Sequence, residues 1–211
     1  MGARKKFSND EHEPAFSFKR IEKFHPLKTM IYVIIAGITV LFLTMMLLFA
    51  SSRPGLHLYD KPFPKSFFGS TAIILVSSWF IHRAAKAFDR ENPKRMLQQL
   101  LLVLLLAVLF CITQTIGWQE LWHSGIMLKG TPSGAFLYVI SGLHLAHVAG
   151  GMLFLVLSII KAVRVRNDGL QGMVYFTDPV EKIRIRMLAR YWHFLDGLWV
   201  LLFVYFIWFF V

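Results

Sequence analysis

Residues 189–211 read ARYWHFLDGLWVLLFVYFIWFFV, and from Tyr191 to Val211 the run is long enough to cross a bilayer as an α-helix. Within it stand His193 and Asp196. An ionisable side chain in hydrocarbon is costly, so both need a partner or a purpose. Upstream lie four further apolar runs, 30–50, 67–84, 97–118 and 136–163, each near the roughly 20 residues that a spanning helix requires. In lipid every backbone group must be satisfied within its own segment, which excludes strands for these runs. The sequence therefore predicts an all-α integral membrane protein. Its domain is a bundle of five transmembrane helices over residues 30–211, with a polar segment at 1–29.

Composition agrees with this reading: the 211 residues are 56% hydrophobic and the mean hydropathy is +0.55. The net charge of +11 acquires meaning from its placement. Of 23 Lys and Arg, all but Arg53, Lys61, Lys65 and Lys129 fall before the first run or in the second and fourth connections. The excess of cations on cytoplasmic loops puts the N-terminus in the cytoplasm and the C-terminus outside. The positive charge is then a topology signal and a contact for anionic membrane lipids, and no nucleic-acid partner is expected. Cys111 is the single cysteine; it precludes a disulfide framework within one chain and reads as apolar filler. Residues 1–29 have no apolar core with a cleavage site, so no secretory signal is expected. The connections SSRPGLHLYDKPFP, DRENPKR, KGTPSG and RNDG read as short loops.

In SGLHLAHVAGG, His144 and His147 are three apart and share a helical face among small residues. Such a pair can ligate a metal or haem, or hydrogen-bond between helices. His193 and Asp196 repeat the spacing, flanked by Trp192 and Trp199. The Asp196 carboxylate can accept from His193, from an Arg of the preceding loop or from a neighbouring chain. With a helix beginning at Tyr191, rise arithmetic separates His147 from Asp196 by roughly 15 Å in depth and from His193 by more than about 18 Å. No shared metal ion or bis-histidine haem is expected within the chain. The third run ends CITQTIGWQELW, where Gln114 and Glu120 accompany interfacial tryptophans; Glu120 is either solvated or paired to a partner. The charged turn HRAAKAFDRENPKRMLQQ reads as a solvated face. No phosphate loop, activated nucleophile or carboxylate dyad is present, and no catalytic residue is assigned.

These motifs resemble subunit III of the haem-copper terminal oxidases, in its five-helix prokaryotic form. The family's G-x-H-x-x-H-V-x-x-G pattern is matched by Gly142, His144, His147, Val148 and Gly151, and its Y-W-H-F-x-D-x-x-W pattern by Tyr191, Trp192, His193, Phe194, Asp196 and Trp199. ENPKRMLQQLL and QTIGWQE are similar to the turn into, and the exit from, the preceding helix. The resemblance implies an accessory subunit of a proton-pumping respiratory oxidase in the bacterial cytoplasmic membrane. It implies direct packing on subunit I and assembly with subunit II, support of proton uptake and oxygen access, and no cofactor in this chain, with haem and copper in the partner subunits. Bound phospholipid and membership of a larger respiratory supercomplex are left open. Two departures stand out. The two helices that form a lipid cleft in larger members are missing, and an intramembrane Glu of those members is replaced near Gly37. The alternatives are a related subunit of a nitric-oxide reductase and a self-contained haem-binding electron carrier. A transporter would show broken helices or an inverted repeat, and neither is apparent.

Overall fold

The structure, a computed structural model, describes residues 26–52, 58, 61–167 and 175–210. Most of the polar segment 1–29, Arg53 and residues 168–174 lie outside the described residues. Among those described there are five α-helices and no strand: α1 (Pro26–Ser51), α2 (Lys65–Asp89), α3 (Pro93–His123), α4 (Pro132–Asn167) and α5 (Pro179–Phe210). Four of them, α1, α3, α4 and α5, are long and apolar enough to cross a membrane. At 25 residues α2 has the length, but Ser66, Ser70, Thr71, Ser77 and Ser78 dilute its apolar content. Five apolar spans were expected; the second is less apolar than the other four.

Local chemistry sets the helix boundaries. Asn92 caps α3, its Oδ1 accepting from Arg95 N at 3.0 Å, with Pro93 in the first helical position. Thr131 Oγ1 accepts from Gly134 N at 3.2 Å at the start of α4, and Asp178 Oδ1 accepts from Val180 N at 2.8 Å at the start of α5. Gly125, at φ 77°, closes α3 in the left-handed conformation that glycine adopts without strain.

The largest departure from the apolar pattern is the start of α5. It begins at Pro179, about three turns before Tyr191. Its opening turns carry Glu181, Lys182, Arg184, Arg186 and Arg190, which reads as loop, yet Ile185, Met187, Leu188 and Ala189 are buried. The helix therefore rises well past its charged stretch before it reaches the aromatic motif.

The antiparallel α2–α3 hairpin is the most extensive contact, α5 packs against α2, α4 and α1, and α1 rests on α4 and α5. One buried cluster draws on all five helices, with Phe42, Phe67, Phe110, Leu137 and Trp199 among its members. A second fills the end nearest the α2–α3 turn, around Phe88, Met96, Leu155 and Leu188. Ion pairs fasten that end. Glu181 is buried and takes Lys161 of α4 and, at 2.8 Å, Arg184; Asp89 of α2 takes Lys182 at 3.0 Å and Arg186 at 3.3 Å from α5. The Lys182 hydrogen bond holds the Asp89 carboxyl below its ordinary value, and the charge of Arg186 adds to it. Beside Glu181, burial pushes the Tyr175 hydroxyl up to about 12, with the Glu181 charge acting in the same direction.

Candidate functional site

The two histidine motifs meet along the seam between α4 and α5. The Trp199 ring is fully buried. It lies 5.3 Å from the His144 ring and packs edge-on against Phe67 and Phe110, at 5.6 and 5.4 Å between centroids. Its Nε1 donates to Thr71 Oγ1 on α2 at 3.1 Å. One turn along α4 from His144, the His147 carbonyl accepts from the Tyr191 hydroxyl at 3.2 Å, and Gly151 packs against Tyr191, Trp192 and Leu195. The motifs therefore sit at the same level. The depth separation of roughly 15 Å expected from a helix beginning at Tyr191 is overturned, because α5 begins at Pro179.

What keeps the ionisable groups apart is direction around the helix axes. His144 is completely buried between Trp199, Phe110 and Phe42, and neither ring nitrogen has a hydrogen-bond partner. His147 turns towards α1, its ring 5.6 Å from Phe42, and its Nδ1 bonds the Leu143 carbonyl of its own helix at 2.7 Å. His193 is exposed, and its Nδ1 meets Ser78 Oγ at 2.7 Å. Asp196 points inwards, 4% exposed, into a small apolar space lined by Ile74, Ser77, Ala107, Phe110 and Val148. Ser78 lies beside it, yet that hydroxyl is engaged by His193, and neither Asp196 oxygen has a hydrogen bond of acceptable geometry. The His193–Asp196 pair is thus no pair: one residue faces out and the other in. Among the described residues no three His, Cys, Asp or Glu side chains gather into a metal-binding set.

The remaining candidates tie helices together. Trp192 Nε1 donates to Ser77 Oγ at 2.9 Å, and Gln114 Nε2 donates to Ser70 Oγ at 3.0 Å. Glu120, expected to be solvated or bound to another chain, instead caps α2: its carboxylate accepts from the Ser66 hydroxyl and, at 3.3 Å, from Ser66 N. A carboxylate there satisfies an orphan amide and complements the helix dipole. The partners that the sequence reading missed are therefore the hydroxyls of α2. Their signal was the pairing of Ser70–Thr71 with Ser77–Ser78, two turns apart, within an otherwise apolar run.

A profile of the family described as cytochrome c oxidase subunit III matches residues 61–211, which takes in α2 to α5 and both motifs of the seam. The chain belongs to the cytochrome c oxidase subunit III family. Relatives bearing that name include a probable cytochrome c oxidase subunit 3 of Mycobacterium tuberculosis, 24% identical over 139 residues that cover 65% of this chain and 64% of the relative. Another, from Rickettsia bellii, is 28% identical over 156 residues, 72% of this chain and 50% of the relative. The chimpanzee (Pan troglodytes) cytochrome c oxidase subunit 3 is 29% identical over 139 residues, 66% and 48% respectively. The chain spans about half to two thirds of the length of these relatives. α1 lies before the matched region. Along the seam, aromatic stacking and hydroxyl bonds hold α2, α4 and α5 against one another.

Proposed function

We propose that this chain is the accessory subunit III of an aerobic cytochrome c oxidase, a complex that reduces oxygen to water with proton pumping. Its role is to stabilise subunit I and to support proton uptake and oxygen access. The observation that carries the reading is the family match over residues 61–211, with both histidine motifs packed into one buried junction.

Haem and copper are assigned to the partner subunits, and the two histidines of the α4 motif are not set up to hold either. The His144 ring is enclosed by Trp199, Phe110 and Phe42, which leaves no face for a planar macrocycle. The His147 ring packs on Phe42, and among the described residues no set of three ligating side chains gathers about it. The chain acts by packing, and its exposed apolar surface on α1, including Met30, Val33, Val40 and Leu47, suits lipid or a partner helix.

All five helices are taken to cross a bacterial cytoplasmic membrane with the N-terminus inside. For α2, support comes from its bonds to α3. Ser66 to Glu120 and Ser70 to Gln114 hold the two side by side, so a membrane-crossing α3 carries α2 across with its hydroxyls turned inwards. Capture of the full chain through an N-terminal tag in mild detergent, with mass-spectrometric identification of what accompanies it, tests the assignment. Recovery of a haem-copper catalytic subunit is the expected result; recovery of the chain alone under conditions that preserve membrane complexes counts against it.

A further inference from the structure

The turn between α2 and α3 encloses a cavity of ≈ 400 Å³ lined by Arg83, Lys86, Arg90, Asn92, Arg95 and Gln98. That volume lies in the range of about 300–1,000 Å³ typical of small-molecule sites. Four of these side chains are cations and the lining holds no carboxylate. The nearest acidic residue on the same helix, Asp89, is committed to Lys182 and Arg186 of α5. Glu91, exposed in the turn, forms no ion pair among the described residues. Like charges gathered in a partly enclosed space repel one another unless an anion neutralises them. Beside them the buried Gln99 Oε1 has no hydrogen-bond partner, an acceptor suited to a hydroxyl.

The surface beyond the cavity says what kind of anion fits. From Arg90 at the C-cap of α2, Lys86 and Arg83 continue at helical spacing into Trp79 and Val76, which are 52% and 47% exposed. On α3, Arg95 and Gln98 continue into Leu102, Leu105 and Leu109, all exposed. Successive residues three or four apart share a helix face, so each helix presents one stripe that changes from cationic to apolar with distance from the turn. The Arg83 guanidinium lies 4.0 Å over the Trp79 ring at that change, the arrangement of an aromatic and a cation at a membrane interface. A free phosphate ion needs only the cationic part. A molecule with a charged head and acyl chains uses both.

We propose that the α2–α3 turn is a binding site for an anionic phospholipid, its phosphate held by Arg83, Lys86, Arg90 and Arg95 and its acyl chains laid along the Trp79 and Leu105 stripes. The site rests on the membrane-spanning reading and not on the oxidase assignment, because retained lipid and captured partner are read separately.

The test uses the full chain, with whatever accompanies it, reconstituted in vesicles of phosphatidylglycerol or of phosphatidylcholine and analysed for retained lipid by native mass spectrometry. The chain is expected to keep phosphatidylglycerol and not phosphatidylcholine. R83Q/R90Q/R95Q is expected to weaken retention roughly a hundredfold, about fivefold per cation. The charge-retaining R83K/R90K/R95K should keep most of it, and K61Q/K65Q/K129Q, which removes as much charge from the other end, should leave it unchanged. Should the triple variant fail to fold, Arg90→Gln alone, at an exposed position, carries the test with a fivefold effect. Equal retention of both lipids, retention unaffected by the Gln variants, or displacement of the lipid by inorganic phosphate would each overturn the proposal.

Discussion

Gly117 shows how closely the α2–α3 hairpin is fitted. A Cβ at this position would run into the Phe67 ring, and Phe67 is itself pinned against Trp199, so neither side has room to yield. Gly117→Ala is expected to destabilise the detergent-solubilised protein by about 1–3 kcal/mol, the range for overpacking a full core. Phe67→Leu in the same chain should recover part of the loss, as measured by denaturation midpoints. The same scale explains what could be read of the site without coordinates. Trp199, His144 and Asp196 stood out because polar and aromatic residues in an apolar run demand an explanation. Their directions did not, because spacing of three leaves two side chains within one broad face, and that latitude was enough to send His193 outwards and Asp196 inwards.

At the level of the elements, α2 is the helix whose role the hydropathy pattern concealed. Its hydroxyls are what made it less apolar, and they are also what bonds it to Gln114, Trp192 and Trp199. Replacing Ser70 and Ser77 by Ala and Thr71 by Val raises its apolarity yet is expected to loosen it. At about 0.6 kcal/mol per interhelical bond, the triple variant should lose roughly 2 kcal/mol, and a Thr71→Val, Trp199→Phe double-mutant cycle should show coupling of the single-bond size. The charged link between α2 and α5 is weaker. Asp89 is 40% exposed, so its pairs with Lys182 and Arg186 are screened and contribute on the order of 0–1 kcal/mol. Because these partners lower its folded value below the ordinary 3.8, the contribution is present at neutral pH and is lost as pH falls below that value. Asp89→Asn should therefore cost stability at pH 7 in low salt and progressively less as the pH falls below 3.8, with added salt narrowing the difference. The start of α5 was hidden for a related reason: charges on its opening turns mimic a loop, and only the buried Ile185 and Leu188 opposite them mark a helix.

For the whole molecule, the all-helical architecture was legible because lipid allows so few solutions: apolar runs of sufficient length must be helices. The register between helices was not, since it depends on where each helix begins in the polar layer, and the charged opening of α5 shifts the two motifs to one level. Charge asymmetry predicts a C-terminus on the outside, so a tag at Val211 is expected to be accessible from outside intact cells; protection of that tag would reverse the topology. In the proposed role, this chain supports a haem-copper centre without holding one. The most direct test is the visible spectrum of the tag-captured complex before and after the chain is separated from its partners. The Soret band is expected to stay entirely with the partner fraction, leaving the separated chain colourless. A Soret band travelling with the separated chain would contradict it.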